Sequence, residues 1–256
     1  MIALRRALSC LVAMVLGAVV LAGCADEIPE TATAEVPPVL GVEVGGVDPC
    51  ATTTEQIRAQ ADALVGRGLR EAGYTALLVP CDEPVPAVDD VALRDELAGD
   101  GLTVERVSVD DERVAHTIPA GVAPEVLRTA ITRRVMLAWP LVFSGDVARL
   151  PDENIALIGN REVLDLALDD KRRPGAPVGD DQDVYSRAIG EVGLLVSLTR
   201  RGDQPGEMSV SIADLNLAGA DSVPATDIWT GRRLHSVDGS LSVPLAPGDT
   251  ALLTIG

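Results

Sequence analysis

Between Val39 and Leu168, apolar strand-like runs alternate with segments of helical period, which restricts the first half of the chain to an α/β architecture with parallel strands. Val39–Val44 is the first expected strand. Thr54–Ala72 is expected to be helical: Thr52, Thr53 or Thr54 can cap it, Ile57, Ala61, Leu64, Val65 and Leu69 recur at helical spacing, and Gly73 ends it. Tyr74–Val79 is a continuous apolar run, the pattern of a strand covered on both faces. A helix over Val88–Ala98, a strand over Leu102–Val109, a helix from Pro124 to Ala138 and a short strand at Leu141–Phe143 follow. Asp152–Leu168 reads as helical, with a break near Gly159-Asn160.

After Asp169 the pattern changes. Residues 171–183 read as a linker, and the acids Asp180, Asp181 and Asp183 lack the spacing of a calcium loop, so they read as a solvated turn. From Val184 onward, short alternating runs such as Gly193–Thr199, Met208–Ile212, Leu241–Leu245 and Ala251–Ile255 are separated by Gly202, Gly231, Gly239 and Gly248. The expected fold class is therefore α/β plus all-β, with an α/β domain over 39–170 and an antiparallel β-sandwich over 184–256.

Charge narrows the partners. The 256 residues carry 21 Lys and Arg against 39 Asp and Glu, a net charge of −18 that excludes nucleic-acid phosphates as a natural partner. Aromatic residues make up only 2 %, so neither bases nor sugar rings find a ready stacking surface. Trp229 is one of the few candidates for a sugar contact; in a sandwich, a lone Trp serves core or interdomain packing more often.

Residues 1–23 read as an export signal. Arg5 and Arg6 precede a 16-residue mostly apolar run, Ala7–Ala22, which is shorter than the ~20 residues of a permanent membrane helix. The run ends in Leu21-Ala22-Gly23-Cys24, which resembles the bacterial lipobox and implies cleavage before Cys24 and lipidation of that residue. Two or more acyl chains are what stable anchoring requires. The expected location is thus extracytoplasmic, anchored to the cell membrane through Cys24. Removal of the signal deepens the charge to −20. Residues 24–38, rich in Pro, Thr, Ala and Glu, read as an extended tether.

With Cys10 lost and Cys24 lipidated, Cys50 and Cys81 remain, and two cysteines outside the cytoplasm point to a disulfide. Neither they nor the two distant histidines, His116 and His235, have zinc-ligand spacing, and no metal or cofactor is expected. Ser144-Gly145-Asp146 is not a nucleophile elbow, and the glycines of 41–46 do not follow the order of a phosphate loop.

Several blocks together carry a family resemblance. Asp227-Ile-Trp-Thr-Gly-Arg-Arg-Leu, followed by Gly239-Ser-Leu-Ser-Val-Pro-Leu-Ala-Pro-Gly-Asp-Thr-Ala-Leu-Leu-Thr-Ile255, resembles the C-terminal sandwich of the α-galactosidases of glycoside hydrolase family 27, the melibiases. Leu127–Asp146 is similar to that family's last barrel helix and strand, Leu150–Leu166 to its final helix, Glu55–Tyr74 to its first helix and second-strand entry, and Val91–Val109 to its second helix and third strand. The resemblance implies a (β/α) barrel followed by the sandwich. It also places Cys50 and Cys81 at or beside a linked pair of the family.

The departures matter as much. A complete eight-stranded barrel takes roughly 250 residues, whereas 39–170 is 132 residues. About four parallel strands are therefore expected, a truncated barrel remnant. The missing part falls between Val109 and Pro124, where the family has its fourth to seventh strands with the aspartate nucleophile and acid/base, and no residue here matches either motif. The first-strand sugar motif is replaced by Gly41-Val-Glu-Val-Gly45, without tryptophan, and the paired aspartates after the second strand fall at Pro80-Cys81.

Retaining glycosidases need two carboxyl groups ~5–5.5 Å apart, one protonated and one ionised. Acids do follow the expected strands: Asp82 and Glu83, then Asp110 and Asp111, then Asp146. Asp110, Asp111 and Asp146 are the candidates for a rebuilt catalytic cluster, against the plainer reading of acidic loops in an acidic protein. The expected function is a non-catalytic surface lipoprotein that binds carbohydrate or an envelope protein, or has a structural role in the envelope. The alternative is a hydrolase of terminal α-galactosides. The open sheet must be covered, either by residues 110–121 folding across it, with the strands in the order last, first, second, third, or by self-association through its edges.

Overall fold

The structure, a computed structural model, describes residues 37–169, 173–179, 181–190, 193–217, 219 and 222–256, with only the backbone at 181 and 182. The signal segment, Cys24 and the tether up to residue 36 lie outside the described residues, as does Asp180.

The first domain follows the expected alternation. In chain order it contains β1 (Leu40–Glu43), α1 (Thr54–Gly66), α2 (Leu69–Ala72), β2 (Ala76–Pro80), α3 (Pro86–Asp89), α4 (Val91–Gly99), β3 (Thr103–Val107), β4 (Ile118–Pro119), α5 (Pro124–Met136), β5 (Leu141–Ser144), α6 (Asp152–Ile158) and α7 (Arg161–Leu168). Thr53 caps α1 through a reciprocal pair with Gln56: its hydroxyl accepts from the Gln56 N–H at 3.3 Å, and the Gln56 side chain accepts from the Thr53 N–H at 2.8 Å. The single helix expected over Thr54–Ala72 is two, because Gly68 adopts a left-handed conformation with φ of 72°. The expected break near Gly159-Asn160 is present, with the Asn160 side chain capping α7.

All strand pairs in this domain are parallel, in the order β3-β2-β1-β5-β4. The anticipated order of four strands is observed, and a fifth, the two-residue β4, extends the sheet beyond β5 through the Ile118–Phe143 register. One face of the sheet points Leu40, Val42, Val44, Leu77, Val79 and Phe143 into the helices. The opposite face, the barrel interior of a closed sheet, holds a small separate cluster of Leu78, Val107 and Val142, covered by Val114. Val114 belongs to the connection from β3 to β4, so this segment folds across the open sheet and takes the place of further strands. Arg113 fastens it with a fork to Glu105 on β3 and to Asp111, at 2.8 Å and 2.7 Å.

Another latch holds the same connection at the opposite end of the sheet. The His116 ring stacks on Trp139 with centroids 4.5 Å apart and planes 6° from parallel, the Arg134 guanidinium lies 4.9 Å from the Trp139 ring centre, and Arg134 donates to the His116 carbonyl. Burial, reinforced by Arg134 and Arg133 and opposed by Glu112, holds the His116 imidazole below its ordinary pKa; burial, with Arg133 beside it, lowers Arg134 to about 10. This gives a pH dependence of defined sign. Above pH ~6.5 the imidazole is neutral in both folded and unfolded chains; below it, the unfolded chain takes up a proton that the folded one resists. Stability therefore falls from pH ~6.5 down to the depressed folded value and then levels off. Thermal melts at pH 7.5 and 5.5 should show a larger drop for the natural protein than for His116→Gln; equal drops would remove His116 as the cause.

The second domain contains β6 (Ala176–Val178), β7 (Asp181–Ile189), β8 (Gly193–Thr199), β9 (Gly206–Ser211), β10 (Pro224–Asp227), β11 (Arg233–His235), β12 (Ser240–Leu245) and β13 (Thr250–Ile255). Its described strands pair antiparallel, as a six-stranded sheet β11-β10-β13-β8-β7-β6 and a β9–β12 ribbon. Val196, Leu198, Val210, Leu241, Val243 and Leu253 fill the space between them. The expected sandwich is present, but residues 171–183 are not a plain linker: β6 and the start of β7 lie there and pair as part of the large sheet. Asp183 does not lie in a free acidic turn, since it pairs with Arg201.

One face of the large sheet docks on α5. Trp229 packs against the core of the first domain, and its indole N–H donates to the Thr132 hydroxyl at 2.9 Å. Arg128 pairs with Asp249 at 2.7 Å, and Thr129 donates to the Gly248 carbonyl at 2.8 Å. Arg187, 2 % exposed, crosses from β7 to donate to the Val135 carbonyl in the last turn of α5 and to the Leu166 carbonyl near the end of α7, the latter at 3.2 Å. A guanidinium at two helix C-termini meets the negative ends of both dipoles.

Candidate functional site

In a parallel β/α sheet, the chain ends of the strands face one edge, and loops there carry the chemistry. At this edge lies a cleft of about 510 Å³ between the ends of β1 and β5 and the start of α1, lined in part by Glu43, Gln56, Gln60, Ser144 and Asp146. Its walls are fixed by short-range chemistry. Gln60 donates to the Gly145 carbonyl at 2.6 Å and accepts from the Val147 N–H at 3.1 Å, holding the β5 loop against α1. Gly45 has φ of 129°, and a side-chain carbon there would sit 2.5 Å from Pro49 Cα, so only glycine fits. The adjacent Cys50 forms a disulfide with Cys81 at the end of β2, with Cα atoms 5.2 Å apart. The expected bond is thus formed, and it ties the turn after β1 to the neighbouring strand.

The expected catalytic candidates are not brought together. Asp110 and Asp111 follow β3 and Asp146 follows β5, with β2 and β1 between them. Three inter-strand steps of ~4.8 Å put the strand backbones roughly 14 Å apart along the sheet, against the ~5–9.5 Å that separates carboxyl pairs in glycosidases. Asp111 is further occupied: hydrogen bonds from Arg113, more than its charge alone, hold its carboxyl below the usual carboxylate range. An acid so held is ionised at neutral pH and has no proton to give. Asp146 accepts from the Ala148 N–H at 3.1 Å, capping the turn that follows, and pairs with Arg149 at 3.1 Å. Asp82 accepts from the Ser108 hydroxyl at 2.8 Å, tying the ends of β2 and β3, and Glu83 and Asp110 are exposed.

The residue that sequence reasoning passed over is Glu43. It lies opposite Ser144 in the β1–β5 register and shares the cleft with Asp146. Its signal was legible: in Leu40-Gly-Val-Glu-Val44 the apolar residues occupy the helix-facing positions, and the acid falls on the other face, at the strand end where ligands gather. Trp229 is removed from this cleft, its indole engaged with α5. Among the described residues no three His, Cys, Asp or Glu side chains are grouped as a metal site would require.

The chain thus joins a parallel β/α sheet, its loops at one edge, to an antiparallel sandwich. Residues 180–255 match the family model of the alpha galactosidase C-terminal beta sandwich domain. Residues 180–255 therefore form that sandwich domain, and the fold of the chain is similar to that of the α-galactosidases. It is similar to α-galactosidase I from Mortierella vinacea, at 13 % identity and a TM-score of 0.64 over 86 % of this chain and 96 % of that one. The α-galactosidase of Saccharomyces cerevisiae gives 8 % identity and a TM-score of 0.63 over 86 % of this chain and 97 % of that one. A Bacteroides fragilis protein assigned as an α-galactosidase/melibiase gives 11 % identity and a TM-score of 0.69 over 86 % of this chain and 79 % of that one. No curated protein sequence matches the chain.

Proposed function

We propose that this protein is a membrane-anchored, non-catalytic relative of the α-galactosidases, a surface lipoprotein with a binding or structural role in the envelope. The observation that carries the reading is the fate of the strand-end acids: Asp111 is bound up with Arg113, and Asp146, across the sheet from it, caps a turn and pairs with Arg149. The lipobox-like Leu21-Ala22-Gly23-Cys24 supports the anchor. A carbohydrate or an envelope protein is the partner this reading implies, and the 510 Å³ cleft at the ends of β1 and β5 is where a monosaccharide unit would enter.

One observation favours a second reading, hydrolysis of terminal α-galactosides: Glu43 and Asp146 share that cleft on adjacent strands. Chromogenic α-galactoside and α-N-acetylgalactosaminide distinguish the two. Folded protein is expected to release no chromophore above background. Turnover that survives re-purification and disappears in Glu43→Gln or Asp146→Asn would replace the first reading with the second. The anchor has its own check: labelled palmitate should enter the natural chain and not Cys24→Ser, and equal labelling of both would remove the lipoprotein assignment.

A further inference from the structure

Away from the strand-end cleft, α5 and the large sheet of the sandwich enclose a second cavity of about 190 Å³. Three arginines, Arg133, Arg200 and Arg201, are among its lining residues. Arg201 pairs with Asp183, and Arg200 donates to the Gln204 carbonyl at 3.1 Å. Among the described residues, the Arg133 side chain makes no hydrogen bond or ion pair.

The hydroxyls divide in the same way. Thr129, Thr132 and Thr199 are engaged, with the Gly248 carbonyl, the Trp229 indole and Thr250 respectively. Tyr185 and Ser197 also line the cavity, and their hydroxyls have no hydrogen-bond partner among the described residues. Ser197 is only 4 % exposed. Neither hydroxyl is sealed from solvent, so both are open to an occupant of the cavity.

We propose that this interdomain cavity binds a small hydroxylated organic anion of monosaccharide size, its acidic group held by Arg133 and its hydroxyls by Tyr185 and Ser197. Arginine presents a planar fork that suits a carboxylate, and of the three lining arginines Arg133 is the one whose side chain is not engaged with a carboxylate, carbonyl or sulfur among the described residues. The volume sets the size: it is below the ~300 Å³ at which drug-sized pockets begin, and it admits one sugar-like ring. This site does not depend on the strand-end cleft.

The test is calorimetric titration of purified full-length protein in detergent, with D-galacturonate as probe and D-galactose and inorganic sulfate as controls. Saturable binding of galacturonate is expected, with galactose and sulfate each weaker. Arg133→Gln, an exposed position whose variant should fold, is expected to weaken binding by about tenfold or more, as loss of a charge-assisted bond does. Tyr185→Phe, which removes one neutral hydrogen bond, should weaken it about fivefold. No saturable binding, or binding that Arg133→Gln leaves unchanged, would overturn the site. Galactose bound as tightly as galacturonate would overturn the anionic part of the assignment, and sulfate bound as tightly would overturn the hydroxylated part.

Discussion

Arg187→Ala is expected to destabilise the protein by ~3–5 kcal/mol, the loss of two buried charge-assisted hydrogen bonds added to that of a large buried side chain. The guanidinium is almost fully buried and satisfies carbonyls at the ends of both α5 and α7. Its loss removes both hydrogen bonds and opens a cavity between the domains. For a chain of this size the melting temperature should fall by about 10 °C. Arg187→Met refines the test, because it restores most of the buried volume but none of the donors: recovery of less than half the loss would locate the effect in the hydrogen bonds. A fall below ~1 kcal/mol in the alanine variant would mean that Arg187 does not hold the domains together.

The second large effect is expected from the disulfide. Replacing Cys50 and Cys81 together by Ala frees a loop of 31-residue separation, and chain entropy assigns the bond ~3–4 kcal/mol. Urea unfolding monitored by circular dichroism should register this as a lower midpoint, with a steeper slope because the unlinked denatured chain exposes more surface. The consequence is local as well, because the bond secures the Gly45–Cys50 turn that borders the strand-end cleft, and amide exchange in residues 45–52 should rise ahead of the rest of the sheet. An unchanged midpoint in the double variant would falsify the entropic account.

Much of this architecture was legible because local and global signals agreed. The helix caps at Thr53 and Asn160, the apolar run of β2 and the alternation in β8, β12 and β13 each pointed to the element that formed. What escaped notice had a physical cause in each case. β7 begins with Asp181-Gln182-Asp183 and buries a charge at Arg187, so the alternation that marks a strand is broken where the strand docks on another domain. β4 is two residues long, too short for any period to show, and exists because β5 offers an edge to pair with. β10 and β11 sit among Pro224, Gly231 and a tight turn held by buried Asp227, whose carboxylate accepts from the Thr230 hydroxyl at 2.6 Å.

The functional residues were less legible than the fold. Strand-end position alone could nominate Asp110, Asp111 and Asp146, but pairing with Arg113 or Arg149 depends on rotamers and loop paths that spacing does not encode. Glu43 was readable from its place on the strand, and only the sheet order shows that its neighbour is β5. The Arg133, Tyr185 and Ser197 cavity is assembled from three elements distant in sequence and carries no motif.

The place of β1 in the middle of its sheet also sets an order of assembly. Leu40 pairs with Leu141, a hundred residues later in the chain, whereas β1, β2 and β3 are joined in sequence. As the chain emerges from its N-terminus, the β1-β2-β3 half can condense first, with Cys50 and Cys81 brought side by side. One flank of β1 then stays open until β5 emerges. Folding with such a distant contact is slow, since loop closure must precede the contacts that compensate it. Refolding of the oxidised chain should accordingly show an early phase in the N-terminal strands and a later one in which β5 closes the sheet. Between the two phases, the exposed edge of β1 is the stretch most open to capture by a chaperone or by another chain.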